Sequence, residues 1–173
     1  MPETRRSTIV FALTGVILLA LGIRTGVAAI APLAPSMDLD LAMEGLPLGI
    51  IGTIPPIAYA LAAWFAPWLA QKVGLETAAI AVGVLGALAH VWRGVSPTFL
   101  SLFAATAVLM VAAGVGNVIL PGLVKLYAPH AIGSVTAAYG TAMAVSSSAP
   151  SFFGVWMADL AGWRVSLGAW AII

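Results

Sequence analysis

Arg24 stands out for its chemistry, because it lies within an otherwise uncharged stretch, residues 9–32. An arginine inside a membrane span costs a few kcal/mol unless it faces a wet cavity or a partner. Its guanidinium is permanently charged and forked, which suits it to hold a small planar or carboxylate-like anion by two hydrogen bonds. The alternative is that the side chain extends to the membrane interface or forms a structural pair. We expect Arg24 to bind a small anionic or polar solute.

Other polar side chains within the apolar stretches are candidates for the same site. A rise of about 1.5 Å per residue brings Thr53, His90 and the serine run at 146–148 near the height of Arg24. The same count puts Asn117 near the opposite, inner end of its span, far from Arg24. The predicted substrate-binding residues are Arg24, Thr25, Thr53, Tyr59, His90, Asn117, Tyr139 and Ser147.

Each of these residues also has a structural interpretation. The serine hydroxyls could bond back to their own helix and form a small-residue packing face. His90 could relay a proton, or it could be an interfacial residue near a helix end. Tyr59, Tyr139 and Asn117 could bridge helices instead of contacting a solute. The sequence leaves these alternatives open.

Several kinds of chemistry are not supported by the sequence. It contains no cysteine, so it offers no disulfide, thiolate nucleophile or cysteine-ligated metal. It has no P-loop, His-Glu-x-x-His or Gly-x-Ser-x-Gly motif and no paired carboxylates within the apolar stretches. The net charge of +1 is too small for a nucleic-acid-binding surface. We therefore predict no enzymatic activity, no cofactor, no metal and no nucleic-acid partner.

The composition is that of a membrane protein. Of the 173 residues, 62% are hydrophobic and 8% are charged, and the mean hydropathy is +1.09. Soluble domains are about one quarter charged. The few charges separate apolar stretches that are long enough to cross a bilayer in about 20 residues. The predicted fold is an all-α integral membrane bundle, with spans at about 9–32, 46–70, 75–93, 97–124, 132–158 and an incomplete 164–173.

The sixth stretch continues for nine residues beyond Arg164 and stops at Ile173. A crossing needs about twice that length. The sequence therefore predicts that residues 1–173 are an N-terminal transmembrane half, cut off inside its sixth helix.

Lysine and arginine in short loops predict the orientation, because cytoplasmic loops carry the excess. With a cytoplasmic N-terminus, four such residues lie inside and two lie outside. The inner ones are Arg5, Arg6, Lys72 and Lys125, and the outer ones are Arg93 and Arg164.

Small residues and prolines indicate how the helices pack. Membrane helices approach closely through small side chains, and candidate contact pairs are Gly22 with Gly26, Gly45 with Gly49, Gly83 with Gly86, and Gly114 with Gly116. Pro55, Pro56, Pro121 and Pro150 each remove a helix hydrogen bond. We expect them to kink or interrupt their helices.

Four segments together resemble a known family. These are residues 22–33 with their Arg24-Thr25-Gly26 string, 52–55, 116–125 with Gly-Asn-Val-Ile-Leu-Pro-Gly, and 162–164. They are similar to the cyanate and 2-nitroimidazole transporter branch of the major facilitator superfamily, and the resemblance covers essentially the whole chain. In the loop between the second and third spans, Gln71 stands where the superfamily usually has aspartate. Met110 stands where it often has an arginine.

The resemblance implies the first half of a twelve-helix secondary transporter, built from two inverted three-helix repeats and working by alternating access. It implies a bacterial inner-membrane location and a cyanate-like, nitroimidazole-like or drug-like solute contacted by Arg24. The implied partners are that solute, the lipid bilayer and the missing C-terminal half. The alternative function is a non-transporting membrane adaptor or half-size interaction partner.

Overall fold

The computed structural model describes the backbone of residues 3–41 and 46–173 and the side chains of residues 8–41 and 49–173. The side chains of Arg5 and Arg6, and residues Glu44 and Gly45, lie outside these ranges. Within them, all regular secondary structure is helical. The helices are α1 (Glu3–Ala28), α2 (Ala34–Leu41), α3 (Leu46–Val73), α4 (Leu75–Gly94), α5 (Phe99–Tyr127), α6 (Ile132–Ala149), α7 (Val155–Ala161) and α8 (Trp163–Ala169).

Four segments are long and apolar enough to cross a membrane: Thr8–Leu41, Gly49–Val73, Leu75–Gly94 and Phe99–Tyr127. The chain is therefore a multi-pass membrane protein, and the predicted all-α membrane fold is confirmed. Residues 132–158, the predicted fifth span, are helical across α6, a π-helical turn and the start of α7. That this stretch crosses the bilayer stays a prediction.

Pro32 explains why α1 ends at Ala28 rather than continuing to the end of the predicted first span. Pro32 has no N–H to donate to the carbonyl of Ala28, and it opens a 3₁₀ turn at Ala31–Leu33. The short helix α2 then begins at Ala34.

The other prolines act differently in different helices. α3 continues through Pro55, Pro56 and Pro67, and α5 continues through Pro121. The predicted interruption is absent at Pro55, Pro56 and Pro121, because a membrane bundle can satisfy the freed backbone groups locally. That these prolines kink their helices stays a prediction. At Pro150 the prediction is confirmed, since a π-helical turn, Pro150–Gly154, separates α6 from α7.

The chain contains an internal repeat. Gly74 joins α3 to α4 and Gly162 joins α7 to α8, and both adopt φ 87, the left-handed region that favours glycine. The contacts between helices repeat as well. If α1 is matched with α5 and α3 with α6, then α1 packs along α6 as α5 packs along α3. The predicted division into two three-helix repeats agrees with this pattern.

The first helices of the two repeats run antiparallel, as an inverted repeat requires. Gly26 of α1 packs against Leu109 of α5, and Ile23 of α1 packs against Gly116 of α5. The contacts shift toward the N-terminus of α5 as they shift toward the C-terminus of α1, so the two helices run in opposite directions.

Glycines on α5 allow the central helices to approach closely. A Cβ added at Gly114 would lie 2.6 Å from the Ala62 Cβ and 3.3 Å from the Ala58 carbonyl oxygen of α3. A Cβ at Gly116 would lie 2.5 Å from Ile23 Cδ1, the end of a flexible side chain. Small-residue packing is thus confirmed at Gly114, Gly116 and Gly26. It is not seen at Gly49 or Gly83, where an added Cβ has no atom of the described residues within 4 Å.

We predict that Gly114→Ala lowers stability by about 1–3 kcal/mol, because backbone and a short side chain of α3 cannot move aside. Gly133→Ala is the matched control, since an added Cβ there meets nothing within 4 Å and alanine favours the helix. Thermal unfolding in detergent measures both. Equal melting temperatures for the two variants would contradict the prediction.

Candidate functional site

An open cavity of about 610 Å³ lies between α1, α3, α5 and α6. Arg24 enters it from α1, Tyr59 from α3 and Asn117 from α5. We call it the Arg24 cavity. Its lining residues are Arg24, Tyr59, Gly114, Asn117, Val118, Gly140, Met143, Ala144 and Ser147.

The polar groups of the cavity are arranged around the Arg24 guanidinium. Arg24 is exposed in the described structure. The buried Tyr59 hydroxyl has no hydrogen-bond partner within the described ranges, although Arg24 and Asn117 are both near enough to interact with it. No acidic residue is among the described side chains that line the cavity. The cavity therefore offers a fixed positive charge, a phenol and an amide to a solute.

The predicted separation of Asn117 from Arg24 is wrong, since both residues line this cavity. The estimate assumed that the fourth span ended at residue 124, whereas α5 continues to Tyr127. Because Ile23 packs against Gly116, residues 24 and 117 lie at nearly the same level of two antiparallel helices. Side chains also lean toward the N-terminus of their own helix, which brings these two toward each other.

Thr25 and Ser146 lie in the contact between α1 and α6. Both side chains are buried, and their hydroxyls contact each other. The Ser146 hydroxyl donates to the Leu21 carbonyl oxygen at 2.6 Å, and the Thr25 hydroxyl lies 2.9 Å from the same oxygen. Thr25 therefore holds two helices together and is not among the residues that line the cavity.

Ser147 lines the cavity, but its hydroxyl is engaged within α6. It donates to the Met143 carbonyl oxygen at 2.8 Å or to that of Ala144 at 3.0 Å. Of the two interpretations of the serines at 146–148, solute binding and bonding back to their own helix, Ser147 shows the second. A hydroxyl oxygen can still accept a hydrogen bond from a solute.

Three predicted site residues lie elsewhere. The Thr53 hydroxyl donates to the Ile50 carbonyl oxygen at 2.7 Å, about two turns of α3 from Tyr59. Tyr139 packs against a core cluster that includes Ala62 and Ile119. His90 is buried, with Nδ1 3.1 Å from the Leu167 carbonyl oxygen. None of the three is among the described residues that line the Arg24 cavity.

His90 instead borders a second, apolar cavity of about 450 Å³ on another side of α1. We call it the α1–α4 groove, because residues 11–23 of α1 and 76–90 of α4 form most of it. Ile173 also borders this groove and packs against Gly22. One side of α1 therefore meets a polar cavity and another meets an apolar groove.

With this geometry in view, the chain can be compared with known proteins. It is 26% identical over 171 residues to the uncharacterized transporter YycB of Bacillus subtilis (strain 168), covering 98% of this chain and 42% of that protein. It is 29% identical over 156 residues to the 2-nitroimidazole transporter of Escherichia coli (strain K12), covering 90% of this chain and 39% of that protein. The resemblance to this transporter branch is confirmed. No family model matches the chain.

The transporter-like chain spans about two fifths of the length of these relatives, 42% and 39% respectively. The similarity extends over nearly all of its own residues, so it includes every element that forms the Arg24 cavity.

Sequence reasoning missed Arg93. The residue was counted as an outer-loop charge, but it lies in the last turn of α4 and its side chain is fully buried. The spacing indicated a shared helix face, because Arg93 follows His90 by three residues and residues three apart are neighbours on a helix. Both side chains are buried. Arg93, one of the two arginines predicted to lie in outer loops, is therefore a charge inside the bundle.

The outer-loop assignment fits Arg164 better. Its Nη1 lies 2.7 Å from the Asp40 carboxylate, in a pair that is about half exposed. The Trp163 indole N–H donates to the same carboxylate at 2.9 Å. This pair links α2 to α8, and at this exposure it contributes little to stability because solvent screens it.

We predict that the Arg24 cavity is reached by water. In Ala144→Cys, a thiol on the cavity wall should react with a charged, membrane-impermeant thiol reagent, because only a hydrated thiol ionises readily. Ala112→Cys is the control, since Ala112 is 3% exposed and lies in the core. The absence of native cysteine in these 173 residues keeps the background low. Equal labelling of both positions would contradict an open cavity.

Proposed function

We propose that this chain is the N-terminal half of a secondary active transporter that moves a small anionic or polar solute by alternating access. The solute is cyanate-like, nitroimidazole-like or drug-like, and the protein lies in a bacterial inner membrane with its N-terminus in the cytoplasm. The observation that carries the proposal is Arg24 itself, which forms no ion pair with a described carboxylate and lies in an open cavity whose described lining includes no acidic side chain.

The charge of Arg24 supports an anionic or strongly polar solute. A guanidinium in a membrane span is costly unless water or an anion compensates it. The described ion pair uses Arg164 rather than Arg24. Arg24, the Tyr59 hydroxyl and the Asn117 amide together provide donors on three helices, so a planar solute can be held from several directions.

The lengths of the relatives support the view that the chain acts with a further half, because it covers 42% and 39% of them. The internal repeat adds to this view. In that repeat α8 corresponds to α4 and α1 corresponds to α5, and α4 packs along α5. The equivalent surface beside α1 is the apolar α1–α4 groove, where we propose that a longer helix beginning at Trp163 continues.

We predict that Arg24→Ala raises the KM for transport by about 10- to 100-fold, because a hydrogen bond to a charged group contributes about 1.5–3 kcal/mol. Arg24→Lys should recover part of the loss, since it keeps the charge but not the fork. Uptake of cyanate and of 2-nitroimidazole into proteoliposomes containing the full-length protein measures both variants.

Unchanged KM values in both variants, at normal expression, would overturn direct binding by Arg24. Absence of flux in the wild-type protein with either probe, together with crosslinking to an unrelated membrane partner, would favour the adaptor function instead.

Tyr59 and Tyr139 offer a matched pair. Tyr59→Phe should raise the KM by about 2- to 10-fold, because it removes one neutral hydrogen bond from the cavity. Tyr139→Phe should leave the KM unchanged, since Tyr139 is not among the described residues that line the Arg24 cavity. The same uptake assay measures both variants, and equal effects on the KM would contradict the prediction that Tyr59, and not Tyr139, contributes to the Arg24 cavity.

A further inference from the structure

The end of α1 is contacted by a buried cation. Arg93 is fully buried, and its Nη1 donates to the Gly26 carbonyl oxygen at 3.1 Å. Gly26 lies two residues after Arg24, in the last turn of α1. The contact joins α4 to the helix that carries the principal charge of the cavity.

The Gly26 carbonyl belongs to the group that a helix leaves without partners at its C-terminus. The backbone bond that closes α1 runs from the Ala29 N–H to the Thr25 carbonyl oxygen at 3.1 Å. Pro32 prevents the helix from continuing in a regular way. Arg93 therefore caps the end of α1, and its positive charge faces the negative end of the helix dipole.

No carboxylate of the described residues forms an ion pair with Arg93. Its Nε and Nη2 are buried and have no hydrogen-bond partner in the described part of the chain. Burying a guanidinium without a carboxylate is costly. The end of α1 is thus held by a permanently charged group that is buried without a described carboxylate partner.

A second contact holds α1 from another side, more than one turn before Gly26. The Ser146 hydroxyl of α6 donates to the Leu21 carbonyl oxygen of α1. Arg93 and Ser146 therefore hold backbone groups on both sides of Arg24 in sequence. With α1 held at Leu21 by α6 and at Gly26 by α4, the backbone that carries Arg24 is held in place beside the cavity.

We propose that Arg93 is a positioning residue for solute binding, and that its cap on Gly26 orients Arg24 in the cavity. This inference rests on the proposed function of Arg24. Arg93 does not touch the solute, since it is absent from the described lining of the Arg24 cavity.

The test compares Arg93→Gln and Arg93→Lys in the full-length protein, with uptake of cyanate and of 2-nitroimidazole in proteoliposomes. Arg93→Gln should raise the KM about tenfold with a nearly unchanged maximal rate, because the binding geometry is lost rather than the transport cycle. Arg93→Lys should restore the KM to within about twofold of wild type, since an ammonium can still cap a carbonyl. Thermal unfolding in detergent is measured on the same samples.

Arg164→Gln is the matched control, because it removes one positive charge from an arginine that pairs with Asp40 outside the cavity. An equal KM increase in this control would overturn the inference in favour of a general effect of charge. A normal KM in Arg93→Gln, when Arg24→Ala raises the KM, would overturn the inference alone. A normal KM in Arg24→Ala would overturn the proposed function and the inference together. Loss of folding in both Arg93 variants would overturn it too, because Arg93 would then be required for the fold itself.

Discussion

The structure depends on how a charged guanidinium is accommodated among apolar helices. Arg24 and Arg93 meet this constraint in two ways. Arg24 extends into an open cavity, where water or a solute can surround it. Arg93 is fully buried and directs one nitrogen at the carbonyl end of α1. In neither case does a described carboxylate pair with the guanidinium. The open cavity leaves room for water around Arg24, and the aligned peptide dipoles of α1 face Arg93.

Both arrangements require α1 to occupy a central position, and small residues make this possible. Gly116 admits Ile23 of α1, and Gly114 admits Ala62 of α3, so α5 approaches two helices at once. Ser146 and Thr25 add a polar contact between α1 and α6. In lipid, close backbone approach and buried hydrogen bonds replace the hydrophobic association that holds soluble bundles together. The cavity is the space that remains between these four tightly packed helices.

The two sides of α1 differ in chemistry. One meets the Arg24 cavity with its guanidinium, phenol and amide groups. The other meets the largely apolar α1–α4 groove. In the internal repeat α1 corresponds to α5, and α5 is covered by α4. The surface of α1 that corresponds to this covered surface of α5 borders the α1–α4 groove. The similarity to transporters that are more than twice as long agrees with a bundle that offers surfaces for further helices.

The sequence by itself determined the membrane class and the helical content, and it identified Arg24 as a charge within an apolar stretch. These follow from local quantities, namely the length of uncharged stretches and the cost of one charge within them. Tertiary structure decided which residues share the cavity. A count along each helix could not give the level of Asn117 relative to Arg24, because that level depends on how two antiparallel helices pack. It could not separate Tyr59 from Tyr139 either, since each faces a direction set by its neighbours. The burial of Arg93 was also hidden, because a charge near the end of an apolar stretch resembles a loop residue until the end of another helix is found against it.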